Sequence, residues 1–427
     1  MPAPNSPHLP RVTHPKTPGQ TGGLRTLPGP WVLVSVTAAA TVSMLPVFLL
    51  GSAAPAIRGD LRFDAGRLGL VVSAFWITMA LGGLVGGRLA QELGATVMIY
   101  TGVGTSVIAL LGLALSPSWA VLLIFASLGG FGSSIVTPAG DMALFGVVPP
   151  GRRGIAYGVK QASLPGASLL AGGFVPLLVL TVGWRWAFIV GTVLAVPALF
   201  AMPRHGLHCT RRDRTQGDIA DSRPGMLGNV VPVAIAVGLA MAGVSSMGAF
   251  YVESAVVGGA SIRVAGTLLA LGGVFGIAGR FLFSWRLGQS AQPYAAVAGL
   301  VGLGGAGAIS FAIHGYGVVL IAGTVVAFGA GWGWNGLLTQ TVVSSQPQAP
   351  ARASAYIMVG AAVGGVVGPA LFGAVVSHAG YSSAWSLCAA QFGLAATVLF
   401  VLCAHNATAT DTEAASSVTP AVPAPPP

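Results

Sequence analysis

The sequence predicts an all-α membrane protein with twelve transmembrane helices in two pseudo-symmetric six-helix bundles. Three observations carry this prediction. First, charged residues make up 7% of the 427-residue chain against 54% hydrophobic, and mean hydropathy is +0.80. A soluble domain carries about 25% charged residues, so lipid must be the solvent for most of this surface. Second, apolar stretches of the roughly 20 residues needed to cross a bilayer recur along the whole chain. They are too long and uniform for the alternating strands of a barrel, which leaves helices to satisfy the backbone in lipid. Third, four short matches recur in one order at a nearly constant offset. AGRLGL at 65–70 matches AGTLLA at 265–270, and RLAQ at 88–91 matches RLGQ at 286–289. RGIAY at 153–157 matches RASAY at 352–356, and GWRWA at 183–187 matches GYSSA at 380–384. A six-helix unit is duplicated. Six is even, so both copies start on the same side, as parallel repeats about an axis along the membrane normal.

In chain order, residues 1–28 are rich in Pro, Gly and Thr and read as a disordered cytoplasmic leader. The first bundle, 29–202, holds spans near 31–51, 66–90, 96–115, 119–141, 154–181 and 185–202. A polar, charged linker follows at 203–227. The second bundle, 228–404, holds spans near 228–252, 264–286, 293–313, 317–343, 353–377 and 384–404, and a disordered cytoplasmic tail is expected at 405–427. With both termini in the cytoplasm, fifteen of the twenty basic residues fall on the cytoplasmic side, as the positive-inside rule requires. The five exceptions are Arg58, Arg62, Arg67, Arg185 and Arg263; Asp60 and Asp64 partly offset those of the first outer loop.

The net charge of +10 does not indicate nucleic acid, because the arginines sit at helix ends and no aromatic residues interleave a basic patch. Cys209, Cys388 and Cys403 are an odd count without metal-ligand spacing. No P-loop, GxSxG or acid/base constellation is present, so neither an enzyme nor a metal or other cofactor is expected. A multi-pass protein of a bacterial plasma membrane fits the termini and the lack of disulfides.

The stretches AGRLGLVVSAFW (65–76), RRGIAYGVKQASLPGASLLAGG (152–173), GWRWAF (183–188), GWGWNGL (331–337) and RASAYIMVGAAVGGVVGPALFG (352–373) resemble the twelve-helix transporters of the major facilitator superfamily (MFS) over about 31–404. The resemblance implies a monomeric secondary transporter. Its two halves would rock about a central cavity to carry a small solute, with a co-transported proton as one option for coupling. Two departures stand out. In GRLAQELGAT (87–96), Gly87 and Gly94 are kept, but Gln91 stands where the family places Asp and Glu92 where it places a base. Phe125 stands where drug antiporters often carry an arginine.

Lys160, one of two lysines in the chain, lies in YGVKQASLPG about 10 Å inside the cytoplasmic end of its helix. A charge at that depth is costly and functional unless it snorkels. It is expected either to reach the headgroups, or to face the cavity as a counter-charge for an anion or a partner in a gating pair. Its neighbours Tyr157, Gln161 and Ser163 join it as candidate substrate contacts. Arg280 is a further candidate, by substrate contact, snorkelling or gate pairing. In the tenth helix Trp332, Trp334 and Asn335 are expected to shape a pocket or to pack. Asp141 is expected to pair with Arg152 and Arg153 at the gate; Gln91 and Glu92 mark the rebuilt gate loop. Glu253 reads as a solvated helix end or a proton-coupling carboxylate. Gly154, Gly158 and Gly166 form a small-residue seam, with Gly360, Gly364, Gly368 and Pro369 as the expected matching seam in the opposite half. Pro165 is expected to kink its helix. The cavity charge favours a small organic anion or polar metabolite. The alternatives are a multidrug/proton antiporter and, from a different class, a non-transporting receptor or scaffold.

Overall fold

The computed structural model describes residues 29–149, 152–200, 230–288, 290, 292–313, 317–345 and 350–417. The expected leader (1–28) and linker (203–227) lie outside the described residues, as do 418–427 of the expected tail. Residues 405–417 continue the last helix to Ser417. No strand occurs among the described residues.

The first traverse is α1 (Gly29–Ser52). A short α2 (Ala54–Leu61) follows within the expected outer loop and ends on Arg62 in the left-handed region, φ 51°. The next three traverses are α3 (Ala65–Leu93), α4 (Ala95–Ala114) and α5 (Trp119–Val147). Asp64 caps α3 by accepting from the Arg67 N–H at 2.7 Å. The fifth traverse is broken into α6 (Arg153–Gln161), α7 (Ser163–Phe174) and a π-helical turn, Val175–Val179. Two prolines account for this. Pro165 and Pro176 lack the N–H that would bond four residues back, to Gln161 and Gly172. At the second break the ladder shifts register, and the Leu180 N–H reaches the Val175 carbonyl at 3.1 Å. The sixth traverse is α8 (Trp184–Val193) and α9 (Ala195–Phe200).

The second bundle comprises α10 (Val230–Val257), α11 (Ile262–Leu287), α12 (Pro293–Ala312), α13 (Val318–Ser345) and α14 (Pro350–Ser417). A straight α14 would be about 100 Å long; it is two traverses reversed at Gly380, φ 79°. The repeat partner of that residue, Gly183, opens the sixth traverse with φ 101°. A β-carbon is disfavoured at both, so the duplication seen in the sequence recurs in the backbone. Among the described residues, ten helical segments are long and apolar enough to span a membrane. Traverse six is divided at Leu194, and traverses eleven and twelve count together as one 50-residue segment, which makes twelve in all.

Take the face where α1 begins as the near face and the opposite one as the far face. Between the bundles α3 meets α14, α7 meets α11 and α1 meets α10. These contacts run from the far face inward. The Gly66 N–H donates to the Ser377 hydroxyl at 3.0 Å, and the Ser73 hydroxyl donates to the Val366 carbonyl at 2.7 Å. Gly69 faces the Pro369 carbonyl, and a β-carbon at Gly273 would lie 2.7 Å from the Pro165 carbonyl oxygen. A glycine thus meets a proline carbonyl on both sides of the pseudo-axis. Beyond Trp76, which packs on Gly365, α3 continues to Leu93 with no hydrogen bond or ion pair to the other bundle among the described residues.

The seam differs from the expectation. Gly360, Gly364 and Gly368 pack on Ala234, Gly238 and Ala242 of α10, within their own bundle. A β-carbon at Gly158 would lie 3.9 Å from Phe281 of α11, and one at Gly166 would lie 3.8 Å from Thr41 of α1. The tight contact of this traverse with the opposite half is made by Pro165, Leu169 and Gly172 against Gly266, Ala270 and Gly273. Gly154 lies at the start of α6.

Candidate functional site

Three charged side chains are buried among the described residues: Lys160, Glu253 and Arg280. Their partners differ, and the difference defines the site.

The Lys160 ammonium lies 2.6 Å from the Asp141 carboxylate and donates to the Thr137 carbonyl at 2.8 Å, both on α5. Gly140 makes room for its stem: a β-carbon there would lie 3.6 Å from the lysine Cε. The side chain is 5% exposed and that of Asp141 45%. Lys160 therefore neither snorkels nor stands free toward a cavity; it is neutralised inside its own bundle. Asp141 pairs with Lys160, because the α5–α6 packing brings the lysine stem across Gly140; the side chain of Arg153, one of its two expected partners, lies outside what is described. Arg152 is exposed, and Arg153 opens α6. The Tyr157 hydroxyl donates to the Asp141 carbonyl at 3.3 Å.

Glu253 sits near the far end of α10 at 6% exposure, bound through Oε1 to the Arg58 guanidinium of α2. The pair crosses from one bundle to the other. Arg58 is braced by donating through Nε to the Phe63 carbonyl at 2.9 Å. Glu253 is thus not a solvated helix end. Arg58 was missed as its partner, although its place among the excess outer arginines was a signal. In the same outer region Asp60 accepts from Arg185 at 2.6 Å and from the Trp184 indole at 3.1 Å. These donors hold its carboxyl below its ordinary value of 3.8.

Arg280, on α11, has no carboxylate partner among the described residues. Its Nε donates to the Trp332 carbonyl of α13 at 3.2 Å, and Nη1 donates to the Gln161 carbonyl of α6 at 2.5 Å. The second bond joins the bundles. It also follows from the sequence: Gln161 is four residues before Pro165, so its carbonyl has no helical donor and is free to accept from the guanidinium. Gln161 thereby enters the site through its backbone, while Ser163 is buried two residues further on.

Above Arg280 an aromatic layer closes the path to the far face. Phe48 of α1 meets Trp332 edge-on at 5.7 Å, and Trp332 tilts against Phe328 at 4.7 Å. A cavity of about 10 Å³, room for roughly one water, remains between Val47, Phe48, Trp76, Leu164, Val244 and Ser245. Trp334 lies about 200° round the helix from Trp332, so the two do not shape one pocket; both are 1% exposed. Asn335, partly buried, is on the Trp332 side. The indole N–H groups of Trp76, Trp332 and Trp334 are buried without a hydrogen-bond partner. Gln91 and Glu92 are exposed at the near end of α3. Beside the Arg280 guanidinium, then, the Trp332 indole N–H is a donor left over; elsewhere the Glu253 Oε2 and the Thr96 and Ser168 hydroxyls are also buried without a hydrogen-bond partner.

Comparisons with known proteins agree with this architecture. The sequence profile described as Major Facilitator Superfamily matches residues 36–347. An uncharacterized MFS-type transporter of Mycobacterium tuberculosis is 31% identical over 38% of this chain and 29% of its own length. A puromycin resistance protein of Streptomyces alboniger is 33% identical over 44% of this chain and 36% of its own. A hexuronate transporter of Bacillus subtilis is 25% identical over 39% and 40%. The chain thus spans about a third of the length of the curated relatives it matches. Among solved structures, a bacterial homolog of the human lysosomal transporter Spinster, in an inward-facing and occupied conformation, superposes with TM-score 0.66 at 15% identity, covering 90% of this chain and 97% of that one. Two six-helix bundles from a duplicated sequence, zipped at one face, together with the profile match across most of the chain, place this multi-pass membrane protein in the major facilitator superfamily.

Proposed function

We propose that the protein is a secondary transporter of a small organic anion, working by alternating access in a bacterial plasma membrane with its near face to the cytoplasm. One observation carries the anion. Of the three buried charges, Lys160 and Glu253 each have an ion-pair partner, and Arg280 is held by carbonyls alone. The core thus keeps one positive charge without a carboxylate, held to Trp332, whose indole N–H is itself unpartnered. An anion supplies the acceptors these groups lack, and a buried charge is most stable when paired. The far-side zipper, the aromatic layer beneath it and the excess of Lys and Arg on the near side support an inward-facing state. The hexuronate relative supports an acidic sugar as one kind of cargo, and the resistance relatives support export of larger compounds as the competing reading.

Ligand stabilisation tests this. A ligand at 100 times its dissociation constant should stabilise the fold by about 2.7 kcal/mol. We expect carboxylates, sugar acids among them, to raise the melting temperature of wild type and of Lys160→Met. They should not do so for Arg280→Gln, and liposome uptake of the hit should fall with it. Stabilisation by cationic or neutral drugs that survives Arg280→Gln would overturn the anion reading in favour of drug export.

A further inference from the structure

We propose that the far end of the α3–α14 seam binds the headgroup of an anionic phospholipid between Arg67 and His378, and that the bound lipid pins the bundles together there; the second part rests on the alternating-access reading. The site follows from the register of the seam. The Gly66 N–H donates to the Ser377 hydroxyl, and the Ser73 hydroxyl to the Val366 carbonyl. The rising number on α3 meets the falling number on α14, so the two helices run in opposite directions. The residue after Gly66 and the residue after Ser377, each about 100° further round its helix, therefore turn to the same side of the seam. They are Arg67 and His378, one from each bundle, and both are exposed. The same side carries exposed Leu70 and Ile77 of α3 and exposed Val367 and Leu371 of α14. Trp76 is buried on the opposite side, where it borders the internal cavity. Arg67 and His378 thus stand at the head of an apolar cleft that faces the acyl chains.

Charge selects the occupant. Arg67 is one of the five arginines on the outer side, against the positive-inside rule. The outer carboxylates do not account for it. Glu253 is held by Arg58 and Asp60 by Arg185, while Asp64 gives a carboxylate oxygen to the backbone N–H of Arg67. The Arg67 guanidinium makes no ion pair among the described residues; it lies over the Trp119 ring of α5, 5.1 Å from the centroid. Stacking on an aromatic face fixes the plane of the fork and leaves its edge N–H groups for a phosphate, which arginine binds with two of them. On the other side of the seam His378 Nδ1 lies 2.8 Å from the Ala374 carbonyl. That carbonyl only accepts, so the hydrogen is on Nδ1 and Nε2 is left to meet the headgroup, donating to a phosphate oxygen when protonated. A zwitterionic headgroup would add an ammonium for which the neighbouring Asp64 is already engaged in capping α3. A free phosphate would satisfy the charges but leave the apolar cleft uncovered. An anionic phospholipid does both. Its phosphate is shared by residues of different bundles, so parting the far face requires giving up one of them.

Native mass spectrometry of the full-length protein, titrated with phosphatidylglycerol or phosphatidylcholine, tests the site without knowledge of the cargo. Wild type is expected to hold phosphatidylglycerol about ten-fold more tightly. Arg67→Gln and His378→Gln should each lose most of that preference. Arg263→Gln, which removes an exposed outer arginine at the start of α11, should keep it. No preference in wild type, a preference that survives both variants, or an equal loss in Arg263→Gln overturns the site. Displacement of the lipid by inorganic phosphate would make it a site for a soluble anion and overturns the lipid assignment. Pinning is read separately, from the rate at which a membrane-impermeant thiol reagent labels Ser73→Cys, with the native cysteines replaced. In nanodiscs of phosphatidylglycerol the labelling should be several-fold slower than in phosphatidylcholine, and Arg67→Gln should remove the difference. Equal rates in the two lipids, with a faster rate in Gly172→Leu, overturn the pinning and leave alternating access standing. If neither the lipid nor Gly172→Leu changes the rate, the alternating-access reading falls and takes the pinning with it, while the binding result stands on its own.

Discussion

At the scale of single residues, the question is which buried charge is spoken for. Depth and composition singled out Lys160 and Arg280 from the sequence, and both are indeed buried. What the sequence did not hold was their partners. Asp141 is nineteen residues from Lys160, and whether it faces that lysine or the arginines of the following loop depends on how α5 and α6 pack, not on spacing. The Gln161 carbonyl was legible in principle, because a proline always frees the acceptor four residues back, but the cation that fills it comes from another bundle. The Lys160 pair makes an asymmetric prediction. Asp141→Asn leaves a buried ammonium without its counter-ion and should cost roughly 1–3 kcal/mol. Lys160→Met leaves a half-exposed carboxylate that water can solvate, and it fills the same groove, so its cost should be near zero. Melting temperatures of the two variants in detergent check this. Equal losses would mean that the pair is held by something other than the burial of the lysine.

At the scale of elements, the helices themselves were the most legible part, because twenty apolar residues in lipid have few other options. Breaks within them carried a mark: Pro165 announced a kink, and Pro197, which leaves the Val193 carbonyl without its helical donor, marks the division of the sixth traverse at Leu194 in the same way. The small-residue seam shows the limit more sharply. Regular glycine spacing states that a backbone approaches closely; it does not state whose. Gly364 meets Gly238 in its own bundle, while Gly69 and Gly273, outside any obvious seam, touch the opposite one. Short α2, read from the sequence as loop, clasps α8 through Asp60, Trp184 and Arg185, with the guanidinium also lying 4.2 Å over the Trp184 ring. This clasp should be acid-labile. The folded state depresses the Asp60 pKa, so its contribution is present above the ordinary value of 3.8 and is lost as pH falls through the lower folded value. The melting temperature of wild type should exceed that of Asp60→Asn near neutrality, and the two should converge below pH 3.8. A gap that stays constant into strong acid would show that the clasp is not set by the carboxylate's charge.

At the scale of the whole molecule, two kinds of close packing have different consequences, and that difference tests how the bundles move. Contacts inside a bundle hold in every state of an alternating-access cycle; contacts between bundles on one face hold only while that face is closed. Gly172 belongs to the second kind: a side chain there would run into the backbone of Ala270 across the interface. Gly364 belongs to the first, its missing side chain leaving room for the Gly238 carbonyl of α10. Overpacking costs typically 1–3 kcal/mol or more when backbone must shift. For Gly172→Leu the protein can avoid that cost by parting the bundles at the far face. For Gly364→Leu no such escape exists, because α10 and this arm of α14 stay together throughout. Gly172→Leu should therefore fold, keep a melting temperature within a few degrees of wild type, and become reactive at the far face to a membrane-impermeant thiol reagent at Ser73→Cys. Gly364→Leu should lose stability without gaining that reactivity. The two substitutions add the same atoms to the same kind of helix, so equal behaviour would mean that the α7–α11 contact is as permanent as the bundle core. Opposite behaviour in the sense given locates the moving boundary of the molecule between the two halves of its duplicated sequence.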